Sequence, residues 1–135
     1  MSSRTLVGLD VGEKRIGVSV ADVSIRIAVP FITVEVDGSE IAAIAEIVAK
    51  EQADTIVVGY PRNQQGEATA QTAFVEEFTK KLEDIDAKIE FQDESLTSVI
   101  AEQRLKAHNR PYSKGDIDAQ AATIILQDYV ERHYG

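Results

Sequence analysis

Residues 5–20 read TLVGLDVGEKRIGVSV, and this segment predicts the first two strands of the protein. Its first part is apolar and β-branched up to Asp10, and its second part places Ile16, Val18 and Val20 at alternate positions. Alternation with a period of two is typical of a β-strand. Because a glycine, Gly12, lies between the two runs, the stretch predicts a β-hairpin.

Outward from this hairpin, the chain predicts one more strand and then strands alternating with helices. The third strand, residues 23–36, contains Pro30, which has no amide hydrogen and indicates a break or an edge strand. Further strands are predicted at residues 55–59 and 87–92. Helical spacing and caps predict helices near 41–48, 68–82, 97–105 and 116–132. This order predicts an α/β fold with a mixed sheet, antiparallel at first and then parallel, flanked by helices.

Length and composition limit the class of protein. The chain has 135 residues, which fits a single domain over residues 1–135, and it has no cysteine. The absence of cysteine excludes disulfides, thiolate zinc sites and cysteine nucleophiles, and it fits a cytoplasmic location. No apolar run has the roughly 18 residues of a membrane helix, so we expect no membrane partner. The formal net charge of −9 argues against indiscriminate binding of nucleic acid.

Three acidic residues reach potential site positions from separate elements. Asp10 and Glu94 each follow a predicted strand, where open α/β sheets bind ligands. Asp118 shares the buried helix face of Ala121 and Ala122, whose small side chains allow close approach to the sheet. An unpaired carboxylate there would be costly, so we expect a positive group to meet Asp118. Each acid also has a structural explanation, as a turn former, a solvated loop acid or a helix-dipole partner.

The three carboxylates together suggest a hard-cation site, because oxygen ligands suit Mg²⁺ or Mn²⁺. The two histidines, His108 and His133, have no metal-ligand spacing and are interpreted as surface residues. The sequence has no nucleophile elbow, Walker loop or dinucleotide fingerprint. Glycines in the hairpin could allow a backbone to approach a phosphate, but turn formation explains them equally well.

Basic residues supply candidate phosphate contacts. Residues 104–114 contain four bases and no acid, and this segment is either a phosphate-contacting edge or a solvated helix end and loop. Further candidates lie in the hairpin and in the loop after the fourth strand. The complete set of candidates is Lys14, Arg15, Arg62, Arg104, Lys106, Arg110 and Lys114.

Four stretches in order along almost the whole chain resemble the YqgF/RuvX family, which is related to the Holliday junction resolvases. They are GLDVGEKRIGV (8–18), VVGYP (57–61), DESLT (93–97) and KGDIDAQAATIILQ (114–127).

The resemblance implies an RNase H-like fold with a five-stranded mixed sheet. It implies a cytoplasmic nuclease that acts in maturation of the 5′ end of pre-16S rRNA, with Asp10, Glu94 and Asp118 as metal ligands. Ser95 stands where the family commonly has arginine, and Tyr60 and Arg62 stand where leucine is usual. Arg62 could replace the missing charge. A fourth acid is not evident, so the number of metal ions stays open.

The leading hypothesis is metal-dependent hydrolysis of RNA, in which a cation-bound water attacks the phosphodiester and no side chain acts as nucleophile. The expected partners are pre-rRNA and ribosome assembly intermediates. Three alternatives remain: a dimeric resolvase of branched DNA, a phosphotransferase suggested by the turn after Asp10, and a non-catalytic ribosome-assembly factor, which the net charge mildly favours. The sequence does not define an oligomeric state.

Overall fold

The structure is a computed structural model that describes residues 4–61, 69–94, 103–104, 106–107 and 114–134, without the side chains of Glu94 and Lys114. Within these residues the strands and longer helices follow in this order: β1 (Thr5–Val11), β2 (Arg15–Asp22), β3 (Ile27–Glu35), α1 (Glu40–Glu51), β4 (Ala53–Pro61), α2 (Ala70–Lys81), β5 (Lys88–Glu94) and α3 (Lys114–Tyr134). Most of the helix predicted near 97–105 lies outside the described residues.

The five strands form one mixed sheet with the order β3-β2-β1-β4-β5. β2 pairs antiparallel with β1 and with β3, whereas β4 pairs parallel with β1 and with β5. The predicted sheet is therefore confirmed, including the change from antiparallel to parallel. Because β1, β4 and β5 run in the same direction, their carboxyl ends meet at one edge of the sheet, next to the start of β2.

The hairpin of β1 and β2 forms as predicted. Gly12 N–H donates to the carbonyl oxygen of Arg15 over 3.0 Å and closes the turn. A β-carbon at position 12 would lie 2.7 Å from that oxygen, so this turn needs glycine. The register places Asp10 of β1 opposite Gly17 of β2.

Helices cover both faces of the sheet. On one face, alternate strand residues such as Leu9, Ile16 and Val58 pack with residues of α1 and α2, including Ile44 and Phe78. On the other face, different strand residues pack against α3, and this cluster contains Leu6, Ala21, Val57, Ile125, Leu126 and Val130. Each fully buried Leu, Ile or Val contributes about 1.5–3 kcal/mol relative to exposure. Burial on both faces therefore determines which side chains of β1 and β2 point toward α3.

Two glycines let α3 lie unusually close to the sheet. A β-carbon on Gly17 would overlap the backbone carbonyl of Asp118 and lie 2.9 Å from the nitrogen of Ala119. A β-carbon on Gly8 would lie 2.8 Å from the β-carbon of Leu126. These glycines therefore make room for a helix and not for a phosphate, the alternative that the sequence had left open.

A hydrogen bond joins the same helix to β2. Ser19 Oγ donates to the carbonyl oxygen of Ala122 over 2.8 Å, although both residues are fully buried. This bond satisfies the serine in the apolar layer and fixes the height of α3 above the sheet.

The outermost strand β3 begins later than the sequence predicts, at Ile27 instead of residue 23. Residues 23–26 form a turn that ends with Arg26 in the left-handed region, at φ 63°. Pro30 lies on the sheet edge, as predicted, next to an irregularity in the register with β2. The Gln127 side chain accepts from Ala28 N–H over 2.8 Å and donates to the Arg26 carbonyl over 3.1 Å.

The ends of the helices also differ slightly from the prediction. α2 begins at Ala70, because Thr69 and Thr72 form reciprocal capping hydrogen bonds. α3 begins at Lys114, two residues before the predicted start, so Lys114 belongs to the helix and not to the preceding loop. α1 begins after Ser39 as predicted, but the Ser39 side chain donates to Asp37 and does not cap the helix.

None of the helices in the described part of the chain is long and apolar enough to span a membrane.

Candidate active site

Asp10 lies near the carboxyl end of β1, on the sheet face that α3 covers. Asp10 lies two residues after Gly8 in β1, so both residues are on the same face of the sheet. The Asp10 side chain is only partly accessible to solvent. Among the described residues, none donates a hydrogen bond to its carboxylate. Gln71 Nε2 of α2 donates to the carbonyl of the next residue, Val11, over 3.2 Å and holds the end of the strand.

Asp118 reaches the same place from the start of α3. Its backbone rests on Gly17, the residue opposite Asp10 in the hairpin. Arg15 Nε donates to Asp118 Oδ2 over 2.7 Å, which supplies the positive partner expected for this acid. The predicted helix face is also confirmed, since Ala121 and Ala122 are fully buried while Asp116 is exposed.

Burial and charge together raise the pKa of the Asp10 carboxyl well above its ordinary value. Burial is the larger cause and the negative charge of Asp118 is the second, and they raise the pKa of Asp10 to about 7. A carboxylate that lacks a donor and lies beside a second carboxylate is costly to ionise. A hard divalent cation would relieve both costs, because it binds oxygen ligands and neutralises their charge. The Asp10 and Asp118 pair therefore fits Mg²⁺ or Mn²⁺.

Glu94 ends β5 at the same edge of the sheet. Its backbone pairs with Pro61, the last residue of β4, and Thr72 Oγ1 donates to the Pro61 carbonyl, which anchors that strand end to α2. The side chain of Glu94 lies outside the described residues. No cluster of three acidic, histidine or cysteine side chains occurs among the side chains that the structure describes. The structure thus brings Asp10 and Asp118 together, and the third ligand stays a prediction.

A family model with the description "RuvX: Holliday junction resolvase" matches residues 4–132. This chain belongs to the RuvX family. Three similar relatives carry the name "Putative pre-16S rRNA nuclease". The relative from Chloroflexus aggregans is 43% identical over 97% of this chain and 96% of its own length. The Synechocystis sp. relative is 40% identical over 93% and 86%, and the Shewanella oneidensis relative is 34% identical over 100% and 99%. Membership makes the chain a nuclease, a hydrolase of phosphodiester bonds.

Solved structures of resolvases share the fold of this RuvX-family chain. Thermus thermophilus RuvC in complex with a Holliday junction substrate superposes with a TM-score of 0.61 at 13% identity, over 96% of both chains. The fowlpox virus resolvase in complex with Holliday junction DNA gives a TM-score of 0.55 at 10% identity, over 95% of this chain and 97% of the other. At this identity the likeness establishes the RNase H-like fold of resolvases.

The basic residues predicted to contact phosphate differ in their exposure to solvent in this RuvX-family chain. Lys14 is exposed in the hairpin turn, and Arg104 and Lys106 are exposed helical residues. Arg15 is instead only partly exposed and bonded to Asp118. Arg62 and Arg110 lie outside the described residues, as does the side chain of Lys114.

Only one of the two histidines, His133, lies within the described residues. His133 is exposed at the end of α3, with its ring centroid 4.2 Å from that of Tyr129, which agrees with its interpretation as a surface residue. His108 lies outside the described residues.

Sequence reasoning missed the residues that support the acids. Gly17 carries the Asp118 backbone, and Ser19 fixes α3 two residues further along β2. A signal for them was present, because Gly17, Ser19 and Ala21 are small residues at alternate positions of one strand. A strand face without large side chains indicates close approach of another backbone.

Proposed function

We propose that this chain is a metal-dependent nuclease that hydrolyses RNA, and that it acts in the cytoplasm in maturation of the 5′ end of pre-16S rRNA during ribosome biogenesis. The observation that carries the proposal is the pair formed by Asp10 and Asp118, two adjacent carboxylates at the sheet edge of a RuvX-family fold. RNA is favoured over DNA because the relatives of 34–43% identity carry the name of a pre-16S rRNA nuclease.

Asp10, Glu94 and Asp118 would hold Mg²⁺ or Mn²⁺ at the carboxyl ends of β1 and β5 and the start of α3. When bound, the cation would favour the hydroxide form of a water and offset charge on the phosphate oxygens. Asp10 must give up its proton to serve as a ligand, and its raised pKa keeps that proton available at neutral pH. Gly17 and Arg15 contact Asp118 and limit its movement, which supports a site whose two proposed ligands lie together before substrate arrives.

The exposed cations would guide the RNA backbone to this edge. Lys14 is exposed in the hairpin turn between β1 and β2, and Arg104 and Lys106 are exposed elsewhere in the chain. Arg62, Arg110 and Lys114 complete the proposed set of contacts. Because the chain carries a formal net charge of −9, attraction has to come from such local groups, and binding should weaken as salt is raised.

A second candidate function is resolution of branched DNA. It is favoured by the family description and by the fold shared with RuvC bound to a Holliday junction. Symmetric cutting of two strands requires two active sites, so this function would need a dimer of the chain.

A direct assay on both substrates tests the proposal. The purified chain, with Mg²⁺ or Mn²⁺ and then with a chelator, is given a structured precursor RNA and a four-way DNA junction, while sedimentation measures its oligomeric state. We expect metal-dependent cleavage of the RNA. Paired cleavage of the junction by a dimer, with intact RNA, would transfer the assignment to the second function, and cleavage of neither substrate would contradict both.

Binding of Mn²⁺ should also release protons. Because the pKa of Asp10 is about 7, about half of these carboxyl groups are protonated at pH 7, and cation binding must displace that fraction. Titration calorimetry in two buffers of different ionisation enthalpy measures the number released. We expect roughly half a proton at pH 7, nearly one at pH 6 and almost none at pH 9. An Asp10→Asn variant should lose this pH dependence; its persistence there would assign the proton to another group.

A further inference from the structure

The candidate site already contains one positive charge, the guanidinium of Arg15. Its Nε lies 2.7 Å from Asp118 Oδ2, and the two side chains are 30% and 23% exposed. The pair joins residues that are 103 positions apart in the chain, at the start of β2 and the start of α3. At this distance and with this partial burial, the bond is a charge-assisted hydrogen bond in a reduced dielectric, and it is stronger than a fully exposed ion pair.

The backbone holds both partners of this pair in place. Arg15 lies two residues before Gly17, so both look toward α3 in the alternation of β2. The carbonyl of Asp118 rests on Gly17, which limits how far its side chain can move away from Arg15. The ion pair therefore forms without a costly rearrangement when the protein folds.

The same carboxylate is a proposed cation ligand, so two positive groups share it. We infer that Arg15 is the internal counter-ion of Asp118 in the metal-free protein, and that a divalent cation competes with Arg15 for this carboxylate. The inference rests on the proposed function, because it needs Asp118 to be a ligand. Arg15 is then a positioning residue that stabilises the empty site and weakens cation binding. The sequence had instead grouped it with the phosphate contacts.

The sign of the effect separates this role from a simple tether. If Arg15 only held Asp118 in a good position, its removal would lower the affinity for cations. A guanidinium beside the site also repels a divalent cation and occupies Asp118 Oδ2. Gly17 keeps the backbone of Asp118 in place in either case, so repulsion and competition should dominate. Removal of Arg15 should therefore raise the affinity for cations.

The test is a titration of Arg15→Gln with Mn²⁺ alone, followed by electron paramagnetic resonance at pH 8, where Asp10 is mostly ionised. We expect the Mn²⁺ dissociation constant to fall roughly tenfold relative to the unmodified chain, because one unit of repulsion is lost. The melting temperature without metal should fall, since two adjacent carboxylates lose their counter-ion. The rise in melting temperature on adding Mn²⁺ should be larger than in the unmodified chain.

Two controls isolate the pair. Lys14→Gln removes the same charge from the neighbouring exposed position, and it should change the Mn²⁺ dissociation constant by less than about twofold, since exposed charges are screened. In an Asp118→Asn background, Arg15→Gln should change Mn²⁺ affinity clearly less than in the unmodified chain, because competition for the carboxylate is gone and only charge repulsion remains.

A spectroscopic measurement keeps the test independent of how the variant folds. In the unmodified chain labelled with ¹⁵N, the Arg15 Nε–H signal should lose its hydrogen-bonded shift as Mg²⁺ saturates the site. An unchanged signal at saturation, or a folded Arg15→Gln variant that binds Mn²⁺ no more tightly, would overturn the inference. The proposed function fails separately, if the unmodified chain binds no Mn²⁺ or if Asp10→Asn binds it equally well.

Discussion

Asp10→Asn is expected to abolish metal-dependent cleavage of RNA while making the folded protein more stable at alkaline pH. Loss of a group that merely supports a metal ligand typically costs 10–100-fold, so loss of the ligand itself should cost more than about 100-fold. Asparagine keeps the shape of the side chain but offers no negative charge to a cation. Cleavage rates with Mg²⁺ and Mn²⁺, measured against the unmodified chain, give the effect on activity.

The gain in stability follows from the sign of the pKa shift. The pKa of Asp10 is raised from 3.8 to about 7 on folding, so the folded state binds a proton more tightly than the unfolded state. The stabilisation from the protonated group is complete below pH 4 and is lost as pH rises toward 7. Asparagine does not titrate, so the free energy of unfolding of the variant should exceed that of the unmodified chain by up to about 4 kcal/mol at pH 8, and by little at pH 4.

A matched control is Asp86→Asn, which neutralises an exposed acid in the loop before β5, at the opposite edge of the sheet. It should retain both cleavage and the pH profile of unfolding. An inactive Asp10→Asn protein that is also less stable at pH 8 would show that Asp10 is a structural group. An active one would remove Asp10 from the mechanism.

Gly17→Ala is expected to separate α3 from the sheet at the site and to disrupt both stability and cation binding. The added methyl group would overlap the carbonyl of Asp118 and crowd the nitrogen of Ala119, which are backbone atoms that cannot rotate away. Overpacking of this kind costs roughly 3 kcal/mol. For a chain of this length the melting temperature should fall by about 10 °C. Because Asp118 has to move, we also expect the Mn²⁺-dependent rise in melting temperature to be lost.

Gly38→Ala distinguishes damage to the site from general destabilisation. Gly38 has a φ of 100° and open space around its α-carbon, so alanine there is strained without touching α3. We expect Gly38→Ala to lower the melting temperature and to keep the Mn²⁺-dependent rise. If Gly17→Ala retains the melting temperature and Mn²⁺ affinity of the unmodified chain, the close approach of α3 is not required for the site.

The sheet could be predicted because its signals are local. The alternation of Ile16, Val18 and Val20 and the glycine before them define the hairpin, and the later alternation of strands and helices defines the parallel half. The start of β3 was harder to predict, because residues 23–26 resemble a strand in sequence. Their place in a turn depends on amide hydrogen bonds from Ile25 and Arg26 back to Asp22.

For the site, the need for a counter-ion was predictable and its identity was not. The helix face shared by Asp118, Ala121 and Ala122 showed that the acid points inward, so burial required a positive partner. Which base supplies it depends on how α3 crosses β2, and that crossing is set by Gly17. Nothing in the local sequence of Arg15 distinguishes it from Lys14, yet the first pairs with Asp118 and the second faces solvent.

The outer margin of β3 has a consequence for behaviour at high concentration. Ile27 and Val29 are 59% and 47% exposed there, in a segment with no charged residue between Arg26 and Glu35. An exposed apolar edge strand can form backbone hydrogen bonds with a strand of another molecule, which extends the sheet and can start fibril growth. The amide of Ala28 is already occupied by Gln127, and Pro30 has none to offer. A strand from another molecule would therefore find no free amide at these two positions of β3. The protein can thus expose apolar side chains on this edge strand without extending its sheet through them.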